Sequence, residues 1–154
     1  MQRLDDVTVL EELEADECLR LLATQGIGRV AFIVDGEPTV LPVNFTLVQG
    51  VIVFRTAAGS AFDLLVREAE VAFEVDQADP AYHSGWSVVG RGTAEGLEDV
   101  MPADALAELP LRPWGLAEVP GWIGVRLREV TGRRLVQLLG RPRDRPAGGS
   151  GPRS

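Results

Sequence analysis

The chain has 154 residues, 45% of them hydrophobic and 25% charged, enough for one domain with a sizeable core and too few for two comfortable ones. Its formal net charge of −8 argues against a general nucleic-acid binder, because neutralising phosphates needs a basic face. A single cysteine excludes an intrachain disulfide, and with a single histidine beside it no familiar zinc cluster can form.

The opening stretch MQRLDDVTVLEELEADE carries acids where a secretory leader would need a basic region and an apolar run. No apolar segment approaches a membrane span, so the expectation is a soluble, cytoplasmic protein without a membrane partner. Glu14 to Gln25 reads as a helix with acids in its first turn and Gly26 as its stop, and it places Cys18 among Leu19, Leu21 and Leu22 as a buried structural thiol. Ile27 to Val34 follows as a strand. Asp35 and Gly36 then make a tight hairpin turn, and Gln49 and Gly50 a weaker one. Between these turns Val40, Pro42, Asn44 and Thr46 alternate with Leu41, Val43, Phe45 and Leu47.

The next strand, from Val51, runs through Phe54 into Arg55, Thr56 and the small residues Ala57 to Ser60. Ser60 to Glu68 then reads as a helix whose N-terminus would add its dipole to that turn. Val71 to Val75 and Trp86 to Thr93 are further strands, separated by a loop from Asp76 to Gly85. Met101 to Leu109 is a short helix, Pro110 to Pro120 an ordered loop, and Trp122 to Leu138 a long final strand broken at Thr131 and Gly132. Six strands with few helices and short early hairpins predict a mainly β, antiparallel barrel, since closure satisfies strand edges that would otherwise stay open. The domain is expected to span residues 1–140. The Arg-, Pro- and Gly-rich residues 141–154 have no large apolar side chain and read as a disordered tail, whose four Arg and one Asp leave the remainder more acidic still.

Chemistry concentrates at the end of the strand around Phe54. Backbone N–H groups, the Thr56 and Ser60 hydroxyls and the Arg55 guanidinium at one strand end suit a phosphate; an ordinary strand exit with a solvated Arg is the other reading. Asn44 interrupts an apolar alternation and needs hydrogen-bond partners if buried. His83, in DPAYHSGW, reads as a surface-loop residue, and Arg91 as a member of a cross-strand ion pair or a ligand contact. Trp86 suits either a flat ligand or a core, and Ser87 faces the other side of a regular strand. No residue stands out as a general acid or base.

GRVAF (Gly28 to Phe32), the Asp35–Gly36 turn, PVNF (Pro42 to Phe45), FRTAAGS (Phe54 to Ser60), VAFEVD (Val71 to Asp76) and GWSVVGRG (Gly85 to Gly92), in this order, resemble the pyridoxamine 5'-phosphate oxidase-like family of flavin-binding split β-barrels. The likeness covers about residues 10–137. It implies a six-stranded split barrel, a homodimer and FMN at the subunit interface. Val43, Asn44 and Phe45 would lie along the isoalloxazine ring, Phe54, Arg55, Thr56 and Ser60 would hold the phosphate, and Trp86 and Ser87 would close the site. One departure stands out. Relatives carry a basic residue, often Lys, directly after the Ser of that turn, whereas this chain has Ala61 and Phe62 there and no Lys anywhere, all 15 of its basic residues being Arg. Loss of one charge-assisted contact costs about ten- to a hundredfold in affinity.

The resemblance therefore implies an FMN-dependent oxidoreductase acting on a small molecule or electron donor, with no metal and no nucleic-acid partner. Relatives of this fold include proteins that use a deazaflavin, so the resemblance also implies a deazaflavin-dependent reductase as an alternative, which the weakened phosphate turn keeps open. A non-catalytic dimer that binds flavin for sensing, or has lost it, is the alternative favoured by Ala61.

Overall fold

The computed structural model describes residues 7–111 and 119–138. Seven strands and three α-helices follow in the order β1 (Val7–Leu13), α1 (Ala15–Leu22), β2 (Ile27–Val34), β3 (Glu37–Val48), β4 (Val51–Ala57), α2 (Ala61–Val66), β5 (Glu70–Asp79), β6 (Ser84–Gly96), α3 (Ala103–Ala107) and β7 (Pro120–Leu138). The expected tail, 141–154, and most of the Pro110 to Pro120 loop lie outside the described residues.

Six strands close a ring in the order β7-β4-β3-β2-β5-β6, with β6 pairing back onto β7, and every pairing is antiparallel. The two early hairpins turn where positive φ is needed, at Asp35 (50°) and Gly36 (80°) and again at Gln49 (49°) and Gly50 (80°). Glycine supplies the second position of each turn without the clash a Cβ would bring.

The expected six strands form the ring, and a seventh adds to them. β1 lies outside the ring and pairs with the far half of β7, from Val7↔Leu138 to Leu13↔Gly132. Glu11 and Glu12 stand opposite Arg134 and Arg133 in its ladder, and the Arg134 guanidinium itself reaches Glu17 of α1 at 2.7 Å. The expected break at Thr131 and Gly132 is likewise absent, since β7 runs unbroken for 19 residues. Gly132 instead gives α1 room, because a Cβ there would lie 2.6 Å from Cys18 Sγ. The segment from Asp76 to Gly85 is shorter as a loop than expected. β5 continues to Asp79 and a single 3-10 turn, Pro80–Tyr82, leads into β6.

Period-two alternation divides each strand between two environments. The barrel interior holds Val30, Phe32, Val43, Phe45, Ile52, Phe54, Phe73, Val75, Val88, Ile123 and Val125, sealed at one end by Cys18 and Leu22 of α1. The Phe45 and Phe73 rings meet edge to face, 4.9 Å between centroids. Burial, with Glu17 nearby, pushes the Cys18 thiol above its ordinary pKa, as befits a packing residue. A second, smaller core lies outside the ring, where Leu106 of α3, Leu97 and Leu111 cover Val53 and Trp122 on β4 and β7. The outer face of β2 and β3 has no such cover among the described residues, and Ile27 (56% exposed), Ile33 (63%) and Val40 (58%) stand on it.

Candidate functional site

Strand β4 sends neighbouring residues to opposite sides, which separates the groups that the sequence placed together. Phe54 and Thr56 point inward and are buried, whereas Arg55 points outward. The Arg55 guanidinium lies over the Trp122 ring, 5.1 Å from its centroid, and its Nη1 donates to the Leu111 carbonyl at 3.2 Å. Its Nε is buried with no hydrogen-bond partner among the described residues.

On the inner side, the turn after β4 folds onto the side chain of Asp63, which is 3% exposed. Asp63 Oδ1 accepts from the Thr56 hydroxyl and from Arg67 Nε (3.2 Å) and Nη2 (3.0 Å), while Oδ2 accepts from the Gly59 backbone N–H at 3.0 Å. Ser60 caps the short helix α2 by accepting from the Asp63 N–H at 3.1 Å. Arg67 is held from its other side by Glu98, whose oxygens accept at 2.7 and 3.0 Å, and Glu98 also accepts from the Trp122 N–H at 3.0 Å. Burial alone would raise the Asp63 pKa, but the bonds from Arg67, Thr56 and Gly59 outweigh it and hold the carboxyl below its ordinary value. Bonds from Arg67 lower Glu98 to about 2 against the opposing effect of burial. Gly121 is the floor of this network, since a Cβ there would fall on Thr56 Oγ1 and Asp63 Oδ1.

The outer face carries a different row. Ile27 is paired with Asn44, the β3–β4 register continues from Phe45↔Phe54 to set Asn44 beside Arg55, and Arg55 is paired with Trp122. In the other direction the β2–β5 register runs from Arg29↔Glu74 to set Asp76 beside Ile27, and Asp76 is paired with Ser87. Asn44 and Arg55 are therefore neighbours on the outer face, whereas Ser87 on β6 lies three strands from β3 in either direction round the ring, on the opposite wall. Val43, Phe45 and Phe54 send their side chains into the barrel core, where only their backbone can meet an outer ligand. Trp86 packs against that same core and lines a cavity of about 660 Å³ with Gln77, Pro80, Arg134 and Leu135. Ser60 and Thr56 belong to the inner network, and Ala61 is exposed at the start of α2.

Beside the outer row, Arg29 Nη1 bridges Glu74 (3.3 Å) and Asp76 (3.0 Å). Burial, then the bond and charge of Asp76, push Glu74 up to about 7, with Arg29 opposing. His83 is exposed, in left-handed backbone (φ 46°), and Arg91 lies 4.0 Å from Glu129 across the ladder, the ion pair anticipated for it. Among the described residues no group of three or more His, Cys, Asp or Glu could hold a metal.

Asp63, Arg67 and Glu98 were not singled out from the sequence. A signal existed for the first two: Ser60-x-x-Asp63 is the spacing of a helix cap, and Asp63 and Arg67 stand four apart on the helix it starts. Glu98, 31 positions beyond Arg67, had none.

A ring of antiparallel strands with a polar turn at one strand end and an open outer face beside it defines the split-barrel class. Residues 14–134 match the family model described as pyridoxamine 5'-phosphate oxidase, and the chain belongs to that family. A protein of Mycobacterium tuberculosis with no assigned role is 35% identical over 130 residues, 81% of this chain and 85% of its own length. The FAD binding protein of Mycobacterium smegmatis superposes with a TM-score of 0.72 at 32% identity, over 82% of this chain and 98% of that one. A conserved protein of unknown function from Corynebacterium diphtheriae gives 0.69 at 30%, over 82% and 98%.

Proposed function

We propose that the protein is a flavin-binding homodimer that serves as an oxidoreductase for a small molecule, with the isoalloxazine ring on the outer face of β2, β3 and β4. The observation that carries this reading is Asn44 set between Ile27 and Arg55, with Ile27 and Val40 exposed on the part of that face that has no cover among the described residues. A flat heteroaromatic ring needs such a surface, apolar for stacking and with a few polar groups to fix its edge. Membership of the family and similarity to a protein that binds FAD support the same cofactor class. The residues fit the ring. They do not fit a flavin phosphate at the turn from Thr56 to Ser60, where the Thr56 hydroxyl and the Gly59 N–H already serve Asp63. FMN and FAD both remain candidates for the cofactor, and a deazaflavin shares the ring shape.

A bound flavin supplies hydride or electron transfer. The chain's own contribution is to hold the ring edge through the Asn44 amide, to offer Arg55 as a cation above Trp122, and to exclude water with a second subunit. Exposed Ile27, Ile33 and Val40 form the apolar face that a two-fold partner would cover. No helix among the described residues is long and apolar enough to cross a membrane, and a cytoplasmic location is proposed with the rest.

The test is the absorption spectrum of freshly purified protein, followed by fluorescence titration with riboflavin, FMN, FAD and a deazaflavin. Asn44→Ala should weaken the bound flavin about tenfold or more whichever tail it carries. Arg55→Ala should weaken the phosphorylated flavins more than riboflavin, the outer-face position making it the available cation. Sedimentation at low micromolar concentration should show a dimer, and Val40→Arg should shift it to monomer. No flavin bound by the wild type, or a monomer in the presence of bound flavin, would overturn the reading.

A further inference from the structure

The turn that leaves β4 has the donor set of an anion site, and its Thr56 hydroxyl and the N–H groups of Ala58, Gly59 and Ser60 are already engaged. The Ala58 N–H donates to the Val119 carbonyl (3.0 Å), Gly59 to Asp63 Oδ2 (3.0 Å), Ser60 to the Ala57 carbonyl (3.0 Å), and the Thr56 hydroxyl to Asp63 Oδ1. The cation that completes the set is Arg67, with two nitrogens on Asp63. It approaches from α2 on the inner side, the opposite side of the strand from Arg55.

A buried carboxylate that accepts from a hydroxyl, a backbone amide and a guanidinium has the same partners a phosphate oxygen would take. Both cannot occupy the cradle. The Asp63 carboxylate fills the space, as the fit against Gly121 shows, and a second anion beside it would meet like charge at low dielectric. We infer that Asp63 is the resident anion of the turn from Thr56 to Ser60, so that the phosphate of a ligand is not anchored there. The chain has thus replaced an external anion by an internal one, and the turn acts as a structural clasp between β4, α2 and β7. For the ligand side this rests on the flavin reading: the cofactor is held by its ring and by outer-face groups, without support from this turn.

Two measurements decide it. In the wild-type protein, the Gly59 amide resonance should not shift saturably when inorganic phosphate, or FMN, is titrated at constant ionic strength. Asp63→Ala removes the carboxylate and leaves Thr56, Gly59 and Arg67 facing a small vacated space, so it should melt lower than wild type. Formate or inorganic phosphate should then raise its melting temperature by several degrees more than they raise that of wild type, with chloride at equal ionic strength as the baseline. A saturable shift of Gly59 in wild type would overturn the inference, as would a folded Asp63→Ala protein that gains nothing from either anion. Should that variant not fold, the wild-type resonance still decides. Failure of the flavin reading is distinguishable, because riboflavin and FMN would then both fail to bind while the inorganic anions still report on the turn.

Discussion

The two sides of strand β4 present the same kinds of groups to opposite fates. Inside, the buried Thr56 and Asp63 are satisfied by each other and by Arg67, which an exposed Glu98 holds from its other side, and the result is a clasp around the Asp63 carboxylate. Outside, Asn44 and Arg55 lie along a face bordered by exposed Ile27 and Val40, and the result is a surface on which a ligand or second subunit can sit. One residue of alternation, between Arg55 and Thr56, separates the two sides. Polar groups gathered in sequence therefore do not make one site unless their side chains leave the strand on the same side.

The largest expected effect breaks the inner side. Arg67→Ala leaves the buried Asp63 carboxylate without its cation, at a cost of about 3 kcal/mol or more, readable as a lower urea midpoint. An unchanged midpoint would mean that Asp63 is solvated. The clasp should also fail in acid. The folded-state pKa of Asp63 is lowered, and that of Glu98 is lowered to about 2 from an ordinary 4.5, so their contribution is present above about pH 4.5 and is lost as pH falls toward 2. In Arg67→Ala that part of the acid dependence should flatten.

A smaller effect comes from Gly121→Ala, whose Cβ would press on Thr56 Oγ1 and Asp63 Oδ1. Both are short side chains locked by hydrogen bonds, so crowding of about 1–3 kcal/mol is expected. Thermal unfolding of the variant should fall accordingly while flavin binding on the outer face persists. Equal loss of both would join the two sides that the alternation separates.

The smallest effect belongs to the outer face. Glu74 has its folded pKa raised from 4.5 to about 7, so the folded state binds its proton more tightly than the unfolded chain does. Stability should therefore decline as pH rises from about 4.5 to 7. Glu74→Gln removes that decline and should stabilise the protein at pH 8 by roughly 1 kcal/mol, the group being partly exposed and screened. Denaturant midpoints at pH 5 and pH 8 measure it. A variant with the wild-type pH profile would return Glu74 to ordinary ionisation.

The sequence by itself determined the ring. Ile27–Val34 is the predicted strand to the residue, Asp35–Gly36 and Gln49–Gly50 turn where glycine was needed, and the alternation read in β3 set Val43 and Phe45 on one side and Asn44 on the other. These are local properties, set by φ preferences and by a period of two. Helix α1 was legible from its stop at Gly26 but ends at Leu22, because the last turn is spent capping rather than extending. Tertiary structure alone decided the rest. β1 becomes a strand only because β7 is long enough to offer a free edge beyond the ring. Arg55 finds Trp122 and Leu111 only when β7 and the segment after α3 arrive beside β4. The donors of the turn were readable in the chain, but their acceptor was not. Glu98 reaches Arg67 across 31 residues, and it is this long-range contact, closed over Gly121, that fixes Arg67 on Asp63 and makes the turn a clasp. Which groups meet across such distances depends on strand register and side, which no local pattern carries.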